Sequence, residues 1–244
     1  MAFFGSSKNK ESYTPLQTKD RKIETVTQNK SNENEYIKIP THDISILKHK
    51  VNVKGSIDGG GSLIIGGNFE GDINVEKTIF VEKDAKVNAT IRANEVKISG
   101  NFEGNIYANL VEVTSNGTFK GTINSNKTFL GGNIDGIINS VASVVITESG
   151  KLNTKRCRSK MIKIVGSVNG KVIASELLEI TNGGKVEGTI ITKGIKTEQG
   201  GSVIGNIQTY NPSEHEDGEN DPTKLLDIHP NDMQKYAKKS QENN

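Results

Sequence analysis

The stretch Gly67-Asn68-Phe69-Glu70-Gly71-Asp72-Ile73 returns with one change as Gly100-Asn101-Phe102-Glu103-Gly104-Asn105-Ile106. Its core is a five-residue unit: apolar, any, Gly, any, apolar. The unit recurs at Val53–Ile57, Phe69–Ile73, Val87–Ile91 (with Ala89 for Gly), Phe102–Ile106, Phe119–Ile123, Ile134–Ile138, Val168–Val172, Val186–Ile190 and Val203–Ile207. A degenerate copy, Leu152-Asn153-Thr154-Lys155-Arg156, brings the count to ten. The central positions are 55, 71, 89, 104, 121, 136, 154, 170, 188 and 205, so the steps run from 15 to 18 residues. The first apolar slot is filled in every copy. The last fails only at Arg156. A register kept over most of a chain marks a repeat architecture.

A second apolar segment lies between copies, as in Ile79-Phe80-Val81, Val96-Lys97-Ile98, Val111-Glu112-Val113 and Ile162-Lys163-Ile164. Several of these alternate apolar and polar, the pattern of a half-buried strand. A unit of about 17 residues is too short for a βαβ crossover or a propeller blade. It suits one winding of a solenoid in which each strand pairs in parallel with the one below. The expected fold is all-β: a single-stranded β-helix of about ten windings, roughly 45–50 Å long at the usual strand spacing. A left-handed hexapeptide helix would repeat every six residues, so the observed steps favour the right-handed form. The expected division is a disordered tail at 1–43, a β-helix at 44–210 and a disordered acidic tail at 211–244.

Composition agrees. The 244 residues include 26 Gly, 5 Pro and no Trp, so the core must be built from many small β-branched side chains. Net charge is +2, which does not advertise nucleic acid as a partner of the whole chain. The charge is uneven: residues 1–40 carry +2 and residues 211–244 carry −4, leaving +4 in the middle. One cysteine, Cys157, excludes an intrachain disulfide and a thiolate metal cluster. No apolar run spans a membrane and no secretory leader opens the chain, so a cytoplasmic protein is expected.

A β-helix has two ends, each with unpaired backbone groups and a slice of apolar core. Solenoids that stay monomeric carry polar caps there. Here Ile44-Ser45-Ile46-Leu47 precedes the first copy, and Val203, Ile207 and Tyr210 close the last, before Asn211-Pro212. Open strand edges template further chains, and contacts that repeat without closing make filaments. The assembly residues expected are Ile46, Leu47, Val51 and Val53 at one end and Val203, Ile207 and Tyr210 at the other. No phosphate-binding Gly-x-x-x-x-Gly-Lys-[Ser/Thr] motif is present, so neither nucleotide nor other cofactor is expected.

The roughly 17-residue winding, the apolar-x-Gly-x-apolar cores and the two Gly-Asn-Phe-Glu-Gly stretches resemble the bactofilins, bacterial cytoskeletal proteins. The resemblance covers about 160 residues. It implies a right-handed triangular β-helix that assembles end to end into non-polar filaments without nucleotide. It also implies roles in cell shape, in placing cell-wall enzymes, or in positioning organelles or chromosomes. Ten windings exceed the compact core expected of that family.

The start, Met1-Ala2-Phe3-Phe4 with Lys8 and Lys10, sets two aromatics beside cations, which suits an anionic lipid interface. A short apolar-plus-lysine start of this kind also resembles that of many bactofilins. The expected membrane contacts are Ala2, Phe3, Phe4, Lys8 and Lys10, and a polymer would add avidity. Lys155-Arg156-Cys157-Arg158-Ser159-Lys160 is densely basic. Without interleaved aromatics for base stacking it reads as a loop or bulge with solvated charge. Cys157 reads as a small filler whose flanking arginines would lower its pKa.

β-helices also host enzymes. All four histidines (His42, His49, His215, His229) lie in the flanks or at the entry to the repeat. The carboxylates Glu70, Glu103, Asp135 and Glu187 fall one to a winding, as in a solvent-facing column rather than a catalytic pair. Turns stay short, so no cleft-forming loops exist. No catalytic or metal site is expected. The alternatives are an adhesin or fibre β-helix and, less favoured, a carbohydrate-active or acyltransferase enzyme. The expectation is a self-assembling scaffold, peripheral at the cytoplasmic membrane, with itself, anionic lipid and cell-shape or cell-wall proteins as partners.

Overall fold

The computed structural model describes residues 43–212. The expected tails at 1–43 and 211–244 lie almost wholly outside them. Thirteen strands form one continuous, wholly parallel sheet wound into a solenoid. Five short strands open it: β1 (Ile44–Leu47), β2 (Asn52–Gly59), β3 (Ser62–Ile65), β4 (Asn68–Val75) and β5 (Thr78–Val81). Then come β6 (Lys86–Ile98), β7 (Asn101–Val113), β8 (Thr118–Leu130), β9 (Asn133–Ile146), β10 (Lys151–Ile164), β11 (Ser167–Ile180), β12 (Lys185–Thr197) and β13 (Ser202–Thr209). From β6 to β12 each strand bends round a corner, so one strand supplies two sides of a winding.

Alternation along each strand sends every second side chain inward, and parallel register stacks like on like. One interior column runs Val53, Phe69, Val87, Phe102, Phe119, Ile134, Leu152, Val168, Val186, Val203. Within it the rings of Phe102 and Phe119 stack at 5.6 Å between centroids. A second runs Ile57, Ile73, Ile91, Ile106, Ile123, Ile138, Cys157, Val172, Ile190, Ile207. Two more pass through Leu63, Ile79, Val96 and Val111, and through Leu47, Ile65, Val81 and Ile98. They form one apolar core along the axis.

Between the first two columns runs the repeat's central position. A Cβ at Gly71 would drive into the Gly55 carbonyl, and the same holds from winding to winding. Gly71 also sits at φ +138°, where side chains are strained. The glycines are therefore there for close backbone stacking. Thr154 stands in this column in the degenerate copy. Its hydroxyl donates to the Gly136 carbonyl at 2.6 Å and accepts from the Arg156 amide at 3.0 Å.

That copy is not decayed, as its sequence suggested. Asn153 pairs with Asp135, but Arg156 pairs with Ile137, so β10 carries one extra residue. A β-bulge absorbs it. Arg156 therefore never enters the inner slot, and Cys157 fills it, fully buried between Ile138 and Val172. The expected lowering of the Cys157 pKa is reversed: burial pushes the thiol up to about 12. One polar cluster is built into the core. The hydroxyls of Ser125, Thr128 and Ser140 bond to one another at 2.5 to 2.7 Å, so each is satisfied in a dry place.

Candidate assembly interface at the solenoid ends

The interior columns meet solvent only where the windings stop. Ile190 is 1% exposed, and Ile207, the next residue in its column, is 51% exposed. Leu178 is fully buried, and Ile195 above it is 42% exposed. Val203 ends a third column and is only partly buried, over a buried Val186. At the other end Leu47, Val53 and Ile57 are the partly buried first members of columns whose next residues, Ile65, Phe69 and Ile73, are fully enclosed. Each end is thus a row of three apolar side chains with no next layer on it.

The backbone is open in the same places. β2 pairs only with β4, β1 only with β3, and β13 only with β12. Their outer edges present a row of donors and acceptors to any strand of matching spacing. The chemistry available is therefore strand addition with burial of a small apolar row, and no bond is made or broken. Nor do the described residues hold a group of three or more His, Cys, Asp or Glu suited to a metal ion. No helix among them is long and apolar enough to cross a membrane.

The expected assembly residues divide three ways. Leu47, Val53, Val203 and Ile207 lie in the terminal rows. Ile46 and Val51 are exposed on the first winding, outside its terminal row. Ile46 heads an outward column continued by Ile64 and Phe80. Tyr210 differs from expectation: it is buried against Ile173 and Ile191 on the flank, away from the open row. Ile57 and Ile195 complete the rows and were missed. Ile57 fills a repeat slot like any other, so only knowing which winding is terminal singles it out. Ala2, Phe3, Phe4, Lys8 and Lys10 lie outside the described residues.

Charge sits on the flanks rather than the ends. The column of Lys54, Glu70, Asn88, Glu103, Lys120, Asp135, Asn153, Asn169 and Glu187 faces solvent. Within it Lys54 bridges Glu70 at 2.8 Å and Lys120 approaches Glu103 at 3.6 Å. On another face Glu179 lies between Lys196 and Lys163, at 2.7 and 3.4 Å. The Lys196 hydrogen bond, then Lys163, holds its carboxyl below the usual range. Such exposed pairs contribute little stability.

A family model described as "Bactofilin: Polymer-forming cytoskeletal" matches residues 45–130 and again residues 125–208. The curated protein bactofilin BacN of Myxococcus xanthus (strain DK1622) is 38% identical over 56 residues, 23% of this chain and 50% of BacN. The chain thus spans about half the length of that relative. No solved structure matches.

Proposed function

The chain belongs to the bactofilin family of polymer-forming cytoskeletal proteins, and on that premise we propose that its solenoids join end to end into filaments without nucleotide. The observation that carries this is the exposure of Ile195 and Ile207 in columns that are otherwise dry. Fully burying an aliphatic side chain is worth about 1.5–3 kcal/mol, so each half-exposed residue contributes roughly half of that on stacking. The open edges of β2 and β13 add backbone hydrogen bonds. Assembly at the inner face of the membrane, positioning cell-shape or cell-wall machinery, completes the proposal.

Negative-stain electron microscopy of the purified protein, without nucleotide or metal, tests assembly. Filaments a few nanometres wide are expected. Ile207→Lys places an ammonium in the terminal row and should abolish them while leaving the β-rich circular dichroism unchanged. Filaments that persist in this variant would sink the end-stacking model. Membrane contact through Ala2, Phe3, Phe4, Lys8 and Lys10 has its own test. Filaments should co-sediment with anionic liposomes, and deletion of residues 2–10 should release them. Equal sedimentation with and without these residues would remove the membrane from the proposal.

A further inference from the structure

The outward column headed by Lys54 is polar almost to its end. The face carried by β1, β3, β5 and the C-terminal halves of β6 to β12 is different. One of its outward columns runs Ile64, Phe80, Lys97, Glu112, Phe129, Val145. The column beside it includes Leu110, Met161 and Leu177. Phe129 is 37% exposed and Met161 49%. Apolar side chains gathered on one solvated sheet face mark an interaction surface.

The first of these columns reads the same from either end: aliphatic, aromatic, charged, charged, aromatic, aliphatic. The two central charges are opposite, and within the chain the Lys97 ammonium stands 3.1 Å from the Glu112 carboxylate. A second copy can be turned end for end about an axis between these two residues and laid face to face on the first. Lys97 then meets Glu112 of the second copy, Phe80 meets Phe129, and Ile64 meets Val145. One winding further out, Ile46 meets the aliphatic stem of Lys163. In the neighbouring column the same turn sets Met161 on Ile44 and Ser143 on Ser62, with Leu110 against the stem of Glu95. A slip of one winding either way sets Lys97 on Lys97 or Glu112 on Glu112. The charges thus specify the register, and the flanking apolar residues supply the burial.

We propose that this face docks on the same face of a second copy, antiparallel and two-fold symmetric, and so pairs filaments side by side. The eight windings from Ile46 to Lys163, about 4.8 Å apart, and a four-residue strand give a footprint on the order of 500 Å² per copy. A stable pair of free molecules buries about 800 Å² per partner. The contact is therefore weak between single molecules and gains strength where a filament repeats it. That strength rests on the filaments proposed above, whereas the register belongs to the single chain.

Full-length protein from ¹⁴N and ¹⁵N cultures, mixed before assembly at high concentration and treated with carbodiimide, tests the register. Lys97–Glu112 links between chains of different isotope are expected beside those within one chain. Electron microscopy and low-speed sedimentation test the pairing. Lys97→Glu and Glu112→Lys should each leave single filaments with unchanged circular dichroism. Mixing filaments of the two variants should restore pairs, and so should combining both changes in one chain, because each arrangement again sets opposite charges face to face. Links confined to single-isotope chains would overturn the proposal, as would failure of the combined charge swap to restore pairs. Sedimentation with anionic vesicles that Phe129→Lys abolishes, without mixed-isotope links, would assign the face to lipid and overturn it too. If no filaments form at all, end stacking fails, and the mixed-isotope links still decide for or against this face.

Discussion

Cys157 shows how far a single side chain is governed by its column. It stands between Ile138 and Val172 with no solvent contact, and burial alone holds the thiol up near 12. The thiolate is the nucleophile, so iodoacetamide at neutral pH should modify Cys157 only as the solenoid opens. Labelling in native buffer that matches a free-thiol control would refute its burial. The pH dependence has a definite sign. Above its ordinary value near 9.0 the unfolded thiol loses its proton, while the folded one keeps it until about 12. The contribution of Cys157 to stability is therefore full below pH 9 and declines as pH rises through that window. Cys157→Val keeps the column apolar and should cost less than ~1.5 kcal/mol. Cys157→Ser buries a hydroxyl among aliphatic groups and should cost about 1–3 kcal/mol. The ranking of the two denaturation midpoints checks this. In the sequence, by contrast, the neighbours of Cys157 are arginines, and they pointed to the opposite shift. Neighbours in a solenoid are the residues one winding away, not those one residue away.

At the scale of the winding, the repeat was legible because two periodicities coincide. Alternation marks strands, and the recurring glycine marks where one winding passes closest to the next. The glycine column makes a sharp prediction. Gly121 sits at φ +135°, and a Cβ there would collide with the Gly104 carbonyl. Gly121→Ala should therefore cost at least ~2 kcal/mol, seen as a lowered midpoint of β-structure loss. Ala89, which already occupies the column with its methyl buried, should tolerate Ala89→Gly far better. An unchanged midpoint for Gly121→Ala would show that the windings have room for a methyl between them. The bulge in β10 was legible only in outline: the basic stretch read as a loop or bulge, but the register it preserves did not show. An inserted Lys155 and a lost apolar slot at Arg156 look alike in one dimension, and only the pairing of Arg156 with Ile137 and of Cys157 with Val172 separates them. Tyr210 misled for a related reason: an aromatic next to the last copy reads as an end residue, whereas its ring turns onto Ile173 and Ile191.

Over the whole solenoid, the two ends are chemically unlike, and this bears on how they meet. If the last winding stacked on the first in continued register, Thr197 would fall on Leu47 and Lys196 on Ile46. Ile204, which ends the column headed by Lys54, would fall on that lysine. Polar would meet apolar at Leu47, whose column is otherwise apolar, and at two outward positions, where such pairs already occur within the solenoid, as Phe80 with Lys97. Contacts between like ends bring Ile195, Val203 and Ile207 of one copy to the same row of another, and Leu47, Val53 and Ile57 to theirs. We propose like-to-like contact on the strength of the Leu47 column, and such contact would give filaments without polarity. The consequence is measurable by light scattering on a sizing column. Ile207→Lys blocks one end only, so it should stop at dimers joined through their first windings. Ile57→Lys should stop at dimers joined through their last windings, and the double variant should be monomeric. Head-to-tail stacking predicts otherwise: either single variant alone would be monomeric, and mixing the two would restore one pairing, as heterodimers. Dimers in both single variants are the expected result. Monomers in both would assign the filament a direction, and the mismatched columns would then have to be accommodated within the junction.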